Sequence, residues 1–128
     1  MAKVTHFEIP ADDMDRAKEF YSTVFGWDIS TSPIPGGEYT SLVTTAVDPE
    51  TYAPTEPGAI NGGMFQREGR LTTPVITIDV PAIDDALAQV RTAGGDVVAE
   101  RQEIPGMGAY AYFTDSEGNL MGLWETTT

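Results

Sequence analysis

The sequence predicts an α+β fold in which two β-α-β-β-β modules form one curved eight-stranded mixed sheet, a cup with both helices outside. Three observations support this prediction: an internal repeat, short segments of alternating apolar residues, and two segments with apolar residues at helical spacing. A chain of 128 residues fits a single domain. We therefore expect one domain over residues 1–128, with modules at about 1–68 and 72–128.

The first module begins with a strand, because residues 3–9 alternate between apolar and polar side chains. Pro10 is expected to end this strand, and Asp12 and Asp13 can cap the first turn of a helix. Gly26 follows the last apolar position of that helix, where a left-handed C-cap is expected. Further strands are expected near residues 27–31, 38–46 and 59–67, with a proline-rich acidic loop at 48–58.

The second module repeats this order of elements. Residues 75–80 predict a strand, and a helix with one apolar face follows, closed by Gly94 and Gly95. Three strands are then expected near residues 96–102, 108–114 and 119–126. Residues 115–119 predict a turn in which Gly118 is available for a positive φ.

Sliding the sequence against itself makes the repeat explicit. An offset of 69 residues places Ala17 on Ala86 and Gly26 on Gly95. An offset of 60 residues aligns Gly62 with Gly122, and the loop at 48–58 accounts for the change of offset. Because neither half can cover both faces of its own strands, two halves side by side would share one concave sheet.

Composition excludes several classes of function. Twenty Asp and Glu residues face seven Lys and Arg, and the resulting net charge of −13 argues against nucleic-acid binding. The chain has no cysteine, and no apolar run approaches the length that crosses a membrane. We see no secretory signal, so we expect a cytoplasmic protein without membrane partners. The acidity has two interpretations, ordinary solubility or adaptation to a salty, halophilic cytoplasm.

Two segments carry recognisable motifs. His6 is followed by the helix pattern D-x-x-x-A-x-x-F-Y at residues 13–21 and by a hydrophobic-Gly-aromatic turn at 25–27. Residues 115–123 resemble a D-P-x-G-N-x-x-x-L closing strand, with Ser116 in place of the proline. Together with the duplicated module, these motifs resemble the vicinal oxygen chelate (glyoxalase/bleomycin resistance/dioxygenase) superfamily over nearly the whole chain. This superfamily includes ring-opening dioxygenases, epimerases and metal-free drug-binding proteins, so the resemblance implies the fold and leaves the function open.

The resemblance also implies where a metal would lie. In the metalloenzymes of this superfamily, up to four ligands, typically His, Glu or Gln, come from the first and last strands of each half. His6 matches the first ligand, and the repeat alignment puts the others near Gly62, at Val75 and at Gly122. Those three residues have no metal-binding side chain, and one imidazole cannot hold a divalent ion alone. We therefore expect no metal and no cofactor.

Other oxygen donors near these positions are also unsuited to a metal site. Strand alternation puts Glu125 on the face opposite to Gly122, where it is expected to be an exposed residue. Asn61 would face the metal position only if the register of its strand slipped by one residue. Glu8 shares the face of His6 but lies near the end of its strand, where solvent is the expected neighbour.

Strand alternation further predicts a mostly apolar, aromatic cavity. The side chains expected to bind a small ligand there are His6, Tyr39, Ser41, Met64, Thr77, Tyr110, Tyr112 and Trp124. The residues expected to face the cavity beside them are Val4, Val75 and Leu120, whereas Phe7, Ile9, Ile76, Ile78 and Val80 are expected under the helices. Alternatively, the cavity residues only fill a core. His6 also has two interpretations: it acts as a general base or contacts a ligand, or it is a remnant of an ancestral metal site.

Three functions remain open from the sequence. The first is metal-free binding of a small apolar or aromatic molecule, and the second is a metal-dependent lyase, isomerase or dioxygenase reaction. The third is a structural or interaction domain with a vestigial cup. A homodimer is also expected, because association can cover the two open edges of such a sheet.

Overall fold

The computed structural model describes residues 1–126 and has the expected α+β architecture. Its two helices are α1 (Met14–Phe25) and α2 (Ile83–Thr92). Its strands are β1 (Lys3–Ala11), β2 (Asp28–Ile34), β3 (Gly37–Val43), β4 (Asn61–Gln66), β5 (Val75–Asp79), β6 (Asp96–Ile104), β7 (Gly108–Thr114) and β8 (Leu120–Thr126). The strands belong to one mixed sheet in the order β2-β3-β4-β1-β5-β8-β7-β6. The predicted fold class is thus confirmed.

The residues group into two compact units. The first unit comprises His6–Pro74, and the second comprises Met1–Thr5 with the chain from Val75 onward. Each unit contains one helix, one parallel strand pair (β1 with β4, or β5 with β8) and two antiparallel pairs.

The first unit is built around α1. The side chain of Asp13 accepts a hydrogen bond from the amide of Arg16 at 3.0 Å, and Gly26 ends the helix at φ 71°. Both predicted caps are therefore present, and the left-handed conformation at position 26 favours glycine. Pro10 does not end β1, because it stays in register with Phe65 of β4. Proline removes only one donor from the ladder, so the strand can continue through it.

The core of the first unit lies between α1 and one face of its strands. Ala11, Leu42 and Met64 are its buried residues. The partly buried side chains packed against them are Phe7, Ile9, Met14, Ala17, Tyr21, Trp27 and Ile29. No residue of α1 is itself fully buried.

The second unit has a larger core beneath α2. Its buried residues are Ile83, Leu87, Ala109, Ala111, Phe113 and Leu123. Ile78 and Val80 pack against this core as expected, whereas Ile76, at the start of β5, is 48% exposed. Val4, which was expected to face the cavity, is 52% exposed.

Glu125 closes the beginning of α2. The residue that precedes the helix, Ala82, has no side chain that can cap it, and Glu125 Oε1 accepts a hydrogen bond from the amide of Ile83 at 2.7 Å. Its Oε2 accepts a hydrogen bond from Arg101 at 2.8 Å. The bonds to Arg101 and Ile83 lower the pKa of Glu125. The expectation of an exposed carboxylate was therefore wrong: Glu125 is a helix cap.

The strand register corrects the repeat alignment by one residue. Glu8 pairs with Gly63 on β4, and Thr77 pairs with Gly122 on β8. The 69-residue offset matches Glu8 with Thr77, so their strand partners should match as well. The counterpart of Gly122 is therefore Gly63, the partner of Glu8, rather than Gly62. Gly62 faces the helix side, where a Cβ atom would lie 2.7 Å from the Phe7 ring.

Within residues 1–126, neither helix is long and apolar enough to cross a membrane.

Candidate functional site

In the first unit, His6 and Tyr39 form a side-chain pair across three strands. His6 lies on β1, Tyr39 lies on β3, and β4 runs between them. The Tyr39 hydroxyl and His6 Nε2 are 3.3 Å apart, so they share a hydrogen bond whose donor depends on the histidine tautomer. Two of the predicted ligand-binding residues are thus brought together, on the face of the strands opposite to α1.

Gly63 makes this contact possible. The Tyr39 side chain passes over Gly63 of β4, and a Cβ atom there would lie 2.6 Å from the Tyr39 hydroxyl. Any larger residue would occupy the path that the tyrosine takes to His6. The amino-acid pattern does not reveal this role, because two adjacent glycines give no signal of which one faces the tyrosine.

The protein environment keeps both members of the pair uncharged near neutral pH. Burial lowers the pKa of His6, which disfavours the imidazolium ion. Burial, together with the negative charge of Glu8, raises the pKa of Tyr39 to about 12. A neutral imidazole and a neutral phenol can each donate or accept a hydrogen bond. The pair is therefore suited to a polar group of a ligand, and at this pH it holds no proton that is easily released.

Ser41 lies on the same face of β3 as Tyr39 but has other partners. Its hydroxyl is 3.1 Å from the hydroxyl of Ser30 and donates to the Ser30 carbonyl at 3.3 Å. Met64 differs from expectation, because it is 4% exposed and belongs to the core beneath α1. The one-residue correction of β4 explains this, since neighbouring residues of a strand point to opposite faces.

In the second unit, Thr77, Gly122 and Tyr112 lie side by side on β5, β8 and β7. Thr77 is 3% exposed, and its Oγ1 has no hydrogen-bond partner among the described residues. A Cβ atom at Gly122 would lie 2.9 Å from that oxygen. Even one Cβ atom at position 122 would be too close to that oxygen, so Thr77 packs directly against the glycine and its unpartnered hydroxyl is enclosed.

Aromatic side chains surround this position. The rings of Tyr110 and Tyr112 meet edge to face, with centroids 5.8 Å apart. Trp124 pairs across the strands with Tyr110, and its ring lies against Gly108, where a Cβ atom would be 2.6 Å from the indole. Thr77, Tyr110, Tyr112 and Trp124, four of the predicted ligand-binding residues, thus share one face of the second unit, opposite to α2.

The residues at the expected metal-ligand positions do not fit a protein-held metal. After the register correction, these positions hold His6, Gly63, Val75 and Gly122, which together offer one donor side chain. Asn61 Oδ1 instead accepts from the amides of residues 44 and 45, at 2.8 and 3.2 Å. Within residues 1–126, no group of three or more His, Asp or Glu side chains has the proximity that a metal needs.

Sequence comparisons connect the chain to glyoxylase-like proteins. A family model for the N-terminal part of bleomycin resistance protein-like proteins matches residues 3–45. A candidate glyoxylase of Mycobacterium tuberculosis, CFP32, is 30% identical over 120 residues, which is 92% of this chain and 43% of that protein. The anthracycline biosynthesis protein DnrV of Streptomyces peucetius is 29% identical, over 92% of this chain and 45% of its own length. The chain thus spans less than half the length of these relatives.

Solved structures share the fold. The methylmalonyl-CoA epimerase of Mycobacterium tuberculosis superposes with a TM-score of 0.64 at 17% identity, over 98% of this chain and 88% of that one. A hypothetical protein from Bacillus halodurans superposes with a TM-score of 0.67 at 15% identity, over 99% of this chain and 96% of that one. The duplicated β-α-β-β-β fold, the motifs around His6 and Gly118, and these matches together show that the chain belongs to the vicinal oxygen chelate superfamily.

Proposed function

We propose that this protein binds a small molecule with a planar aromatic part and a polar group, without the help of a protein-held metal. The observation that carries the proposal is the aromatic face of the second unit, where Tyr110, Tyr112 and Trp124 lie together beside the Thr77 hydroxyl, which has no partner among the described residues. A buried hydroxyl without a hydrogen bond costs about 1–3 kcal/mol. Because the hydroxyl is enclosed, the Thr77 side chain must rotate before a ligand atom can bond it. That bond would recover the cost and would fix the orientation of the ligand.

The aromatic side chains beside Thr77 suit the rest of such a ligand. Tyr110, Tyr112 and Trp124 offer large, stiff surfaces against which a planar ring can stack or meet edge to face. Small-molecule sites typically combine an apolar, aromatic lining with a few placed polar groups. The face of the second unit opposite to α2 has this composition.

The His6–Tyr39 pair of the first unit supports the same kind of function. Both groups are neutral near pH 7, so they offer hydrogen bonds without a net charge. A neutral polar group in an apolar setting favours a ligand with a carbonyl, phenol or amide over a strongly charged ligand.

The names of the relatives agree with an aromatic ligand. The matching family model describes bleomycin resistance protein-like proteins, and DnrV is named for anthracycline biosynthesis. An anthracycline has a planar, fused aromatic ring system with carbonyl and phenol groups. We therefore place this class of compound first among the ligands to test.

Binding can be followed by tryptophan fluorescence, with bleomycin and an anthracycline as probes. We expect Thr77→Val to weaken binding about tenfold, because the side chain keeps its shape and loses the hydroxyl. The same substitution should leave the melting temperature unchanged or raise it, because it removes an unpartnered polar group. Thr23→Val, at an exposed position of α1, is the matched control. If neither compound binds, or if Thr77→Val binds as tightly as the wild type, the proposal is wrong.

The alternative is a metal-dependent lyase, isomerase or dioxygenase. It is favoured by the glyoxylase names of the relatives and by the position of His6 and Glu8 on one face of β1. Elemental analysis of protein purified without chelator or nickel resin tests it directly. One equivalent of zinc, nickel, manganese or iron that survives dialysis, together with chelator-sensitive turnover of methylglyoxal and glutathione, would establish this alternative.

A further inference from the structure

The outer surface of α1 carries an unusual set of exposed apolar side chains. Phe20 and Val24 are each 54% exposed, and Phe25 is 58% exposed. They occupy the second half of one helix, and we call them the α1 patch. Single exposed apolar residues are ordinary, but a contiguous group of large ones typically marks an interaction surface.

The second helix shows that the fold does not require these residues. The 69-residue offset matches Phe20, Val24 and Phe25 with residues 89, 93 and 94, which are Gln, Ala and Gly. Residue 89 lies on α2, and residues 93 and 94 follow its end at Thr92. The second unit thus has no large apolar side chain at any of the three matching positions. The α1 patch is therefore additional to the demands of folding.

Neighbouring rings support the patch from below. The Phe20 ring meets Tyr21 edge to face at 5.2 Å, and the Phe25 ring stacks on Tyr21 at 6.1 Å. Phe25 also lies 5.8 Å from Trp27. Exposed rings that are already held in place lose little side-chain freedom when a partner binds.

The charge distribution indicates what covers the patch. The whole chain has a net charge of −13, which opposes the approach of two copies. On α1, however, the charged residues are Asp15, Arg16, Lys18 and Glu19, which sum to zero. Two of the seven basic residues of the chain are on this helix. An apolar patch on a helix without net charge opposes the approach of a second copy less than the acidic remainder of the chain does.

We propose that the α1 patch is the contact by which two copies of this chain associate, with α1 of one copy against α1 of the other. Such a contact is isologous, so that the same residues of both copies meet around a two-fold axis. The proposal is independent of the ligand-binding function, and it places the expected dimer contact on a helix rather than on a sheet edge. Because the remaining acidic surface still repels, the dimer should tighten with rising salt.

Cross-linking tests the proposal directly, because the chain contains no cysteine. We expect Val24→Cys to form a disulfide-linked dimer under mild oxidation, since the two copies of residue 24 lie near the two-fold axis. Met107→Cys is the control, because Met107 is similarly exposed, at 49%, and lies in the turn between β6 and β7. It should give at least tenfold less cross-linked product at the same protein concentration.

Sedimentation velocity supplies the second measurement. The wild type should sediment as a dimer at micromolar concentration. The double variant Phe20→Gln with Val24→Ala, which introduces the residues at the matching positions of the second unit, should shift it to monomer. Circular dichroism should show that this variant keeps its fold. A wild type that is monomeric at every salt concentration would overturn the proposal. So would a dimer that the double substitution leaves intact, or equal cross-linking of both cysteine variants.

Discussion

Replacing Gly63 with alanine should separate Tyr39 from His6. The new Cβ atom would lie 2.6 Å from the Tyr39 hydroxyl, whereas ordinary contacts begin near 3.4 Å, so the hydroxyl must move by about 0.8 Å. The hydrogen bond to His6 is already 3.3 Å long, and such a bond is lost beyond about 3.5 Å. Because β4 lies between the strands of the two partners, the added methyl group stands in the path of the tyrosine.

The expected energy follows from the same contacts. Loss of the hydrogen bond costs about 1 kcal/mol, and overpacking adds about 1–3 kcal/mol. The pKa of Tyr39, held at about 12 by burial and Glu8, should fall towards its ordinary value of 10.0 once the ring is displaced. Complete loss of this elevation, from about 12 to 10.0, would correspond to about 3 kcal/mol, which is the upper limit of the effect. Since the folded state holds this proton more tightly, the wild type should lose that stability as the pH rises from about 10 to about 12, and Gly63→Ala should lose less.

Two titrations measure this effect. The chain has one histidine, so its imidazole proton signal in an NMR spectrum is assigned without further labelling. We expect the pKa of His6 to rise in Gly63→Ala, because the ring loses its cover. Phenolate absorbance, with Tyr39→Phe as the reference, follows the tyrosine. Gly37→Ala is the control, because a Cβ atom at position 37 meets nothing within 4 Å. If both pKa values stay unchanged in Gly63→Ala, the geometry described for this pair is wrong.

Three further predictions concern stability. Leu87→Ala should lower the free energy of unfolding by about 3 kcal/mol in urea titrations, because Leu87 is 1% exposed. Gln89→Ala, at an exposed position of the same helix, should change it by less than about 0.5 kcal/mol. Glu125→Gln should destabilise the protein at pH 7. The lowered pKa of Glu125 means that its contribution is present above its ordinary pKa and is lost as the pH falls, so the difference between wild type and variant should shrink below about pH 4. The melting temperature should rise between about 0.05 M and about 2 M potassium chloride as salt screens the surplus of carboxylates, and a flat curve would remove the halophile hypothesis.

The sequence predicts the type and order of the elements because each element buries one face. A strand with one buried face alternates with a period of two, and a helix repeats with a period of 3.6. Residues 75–80 and the apolar positions from Ile83 to Val90 show these periods clearly, and the structure contains both elements. The caps at Asp13 and Gly26 are also predictable, since each depends on a few neighbouring residues.

The register of β4 is not predictable in the same way. Gly62 and Gly63 have no side chains, so alternation cannot show which of them faces the helix. Only the pairing of Gly63 with Glu8 on β1 decides the question, and it moves Met64 from the predicted site into the core. A slip of one residue exchanges the two faces of a strand, so one ambiguous dipeptide misplaced one candidate site residue.

Contacts between distant segments are also beyond the reach of the pattern. Alternation assigns Glu125 to the correct face of β8, but it does not reveal the uncapped amide of Ile83 or the nearby guanidinium of Arg101. The unpartnered hydroxyl of Thr77 is likewise visible only once its neighbours are in place.

The bond between Glu125 and Ile83 has a consequence for the order of events during synthesis. The two residues are 42 positions apart, so α2 leaves the ribosome well before the carboxylate that completes its first turn. The two parallel strands of the second unit are also far apart in the sequence, because β5 pairs with β8, the last strand to be synthesised. The second unit can therefore acquire its final structure only when residue 125 has left the ribosome. A released chain truncated shortly before residue 125 should keep the start of α2 frayed and open to proteases, and the chain of 128 residues should be protected.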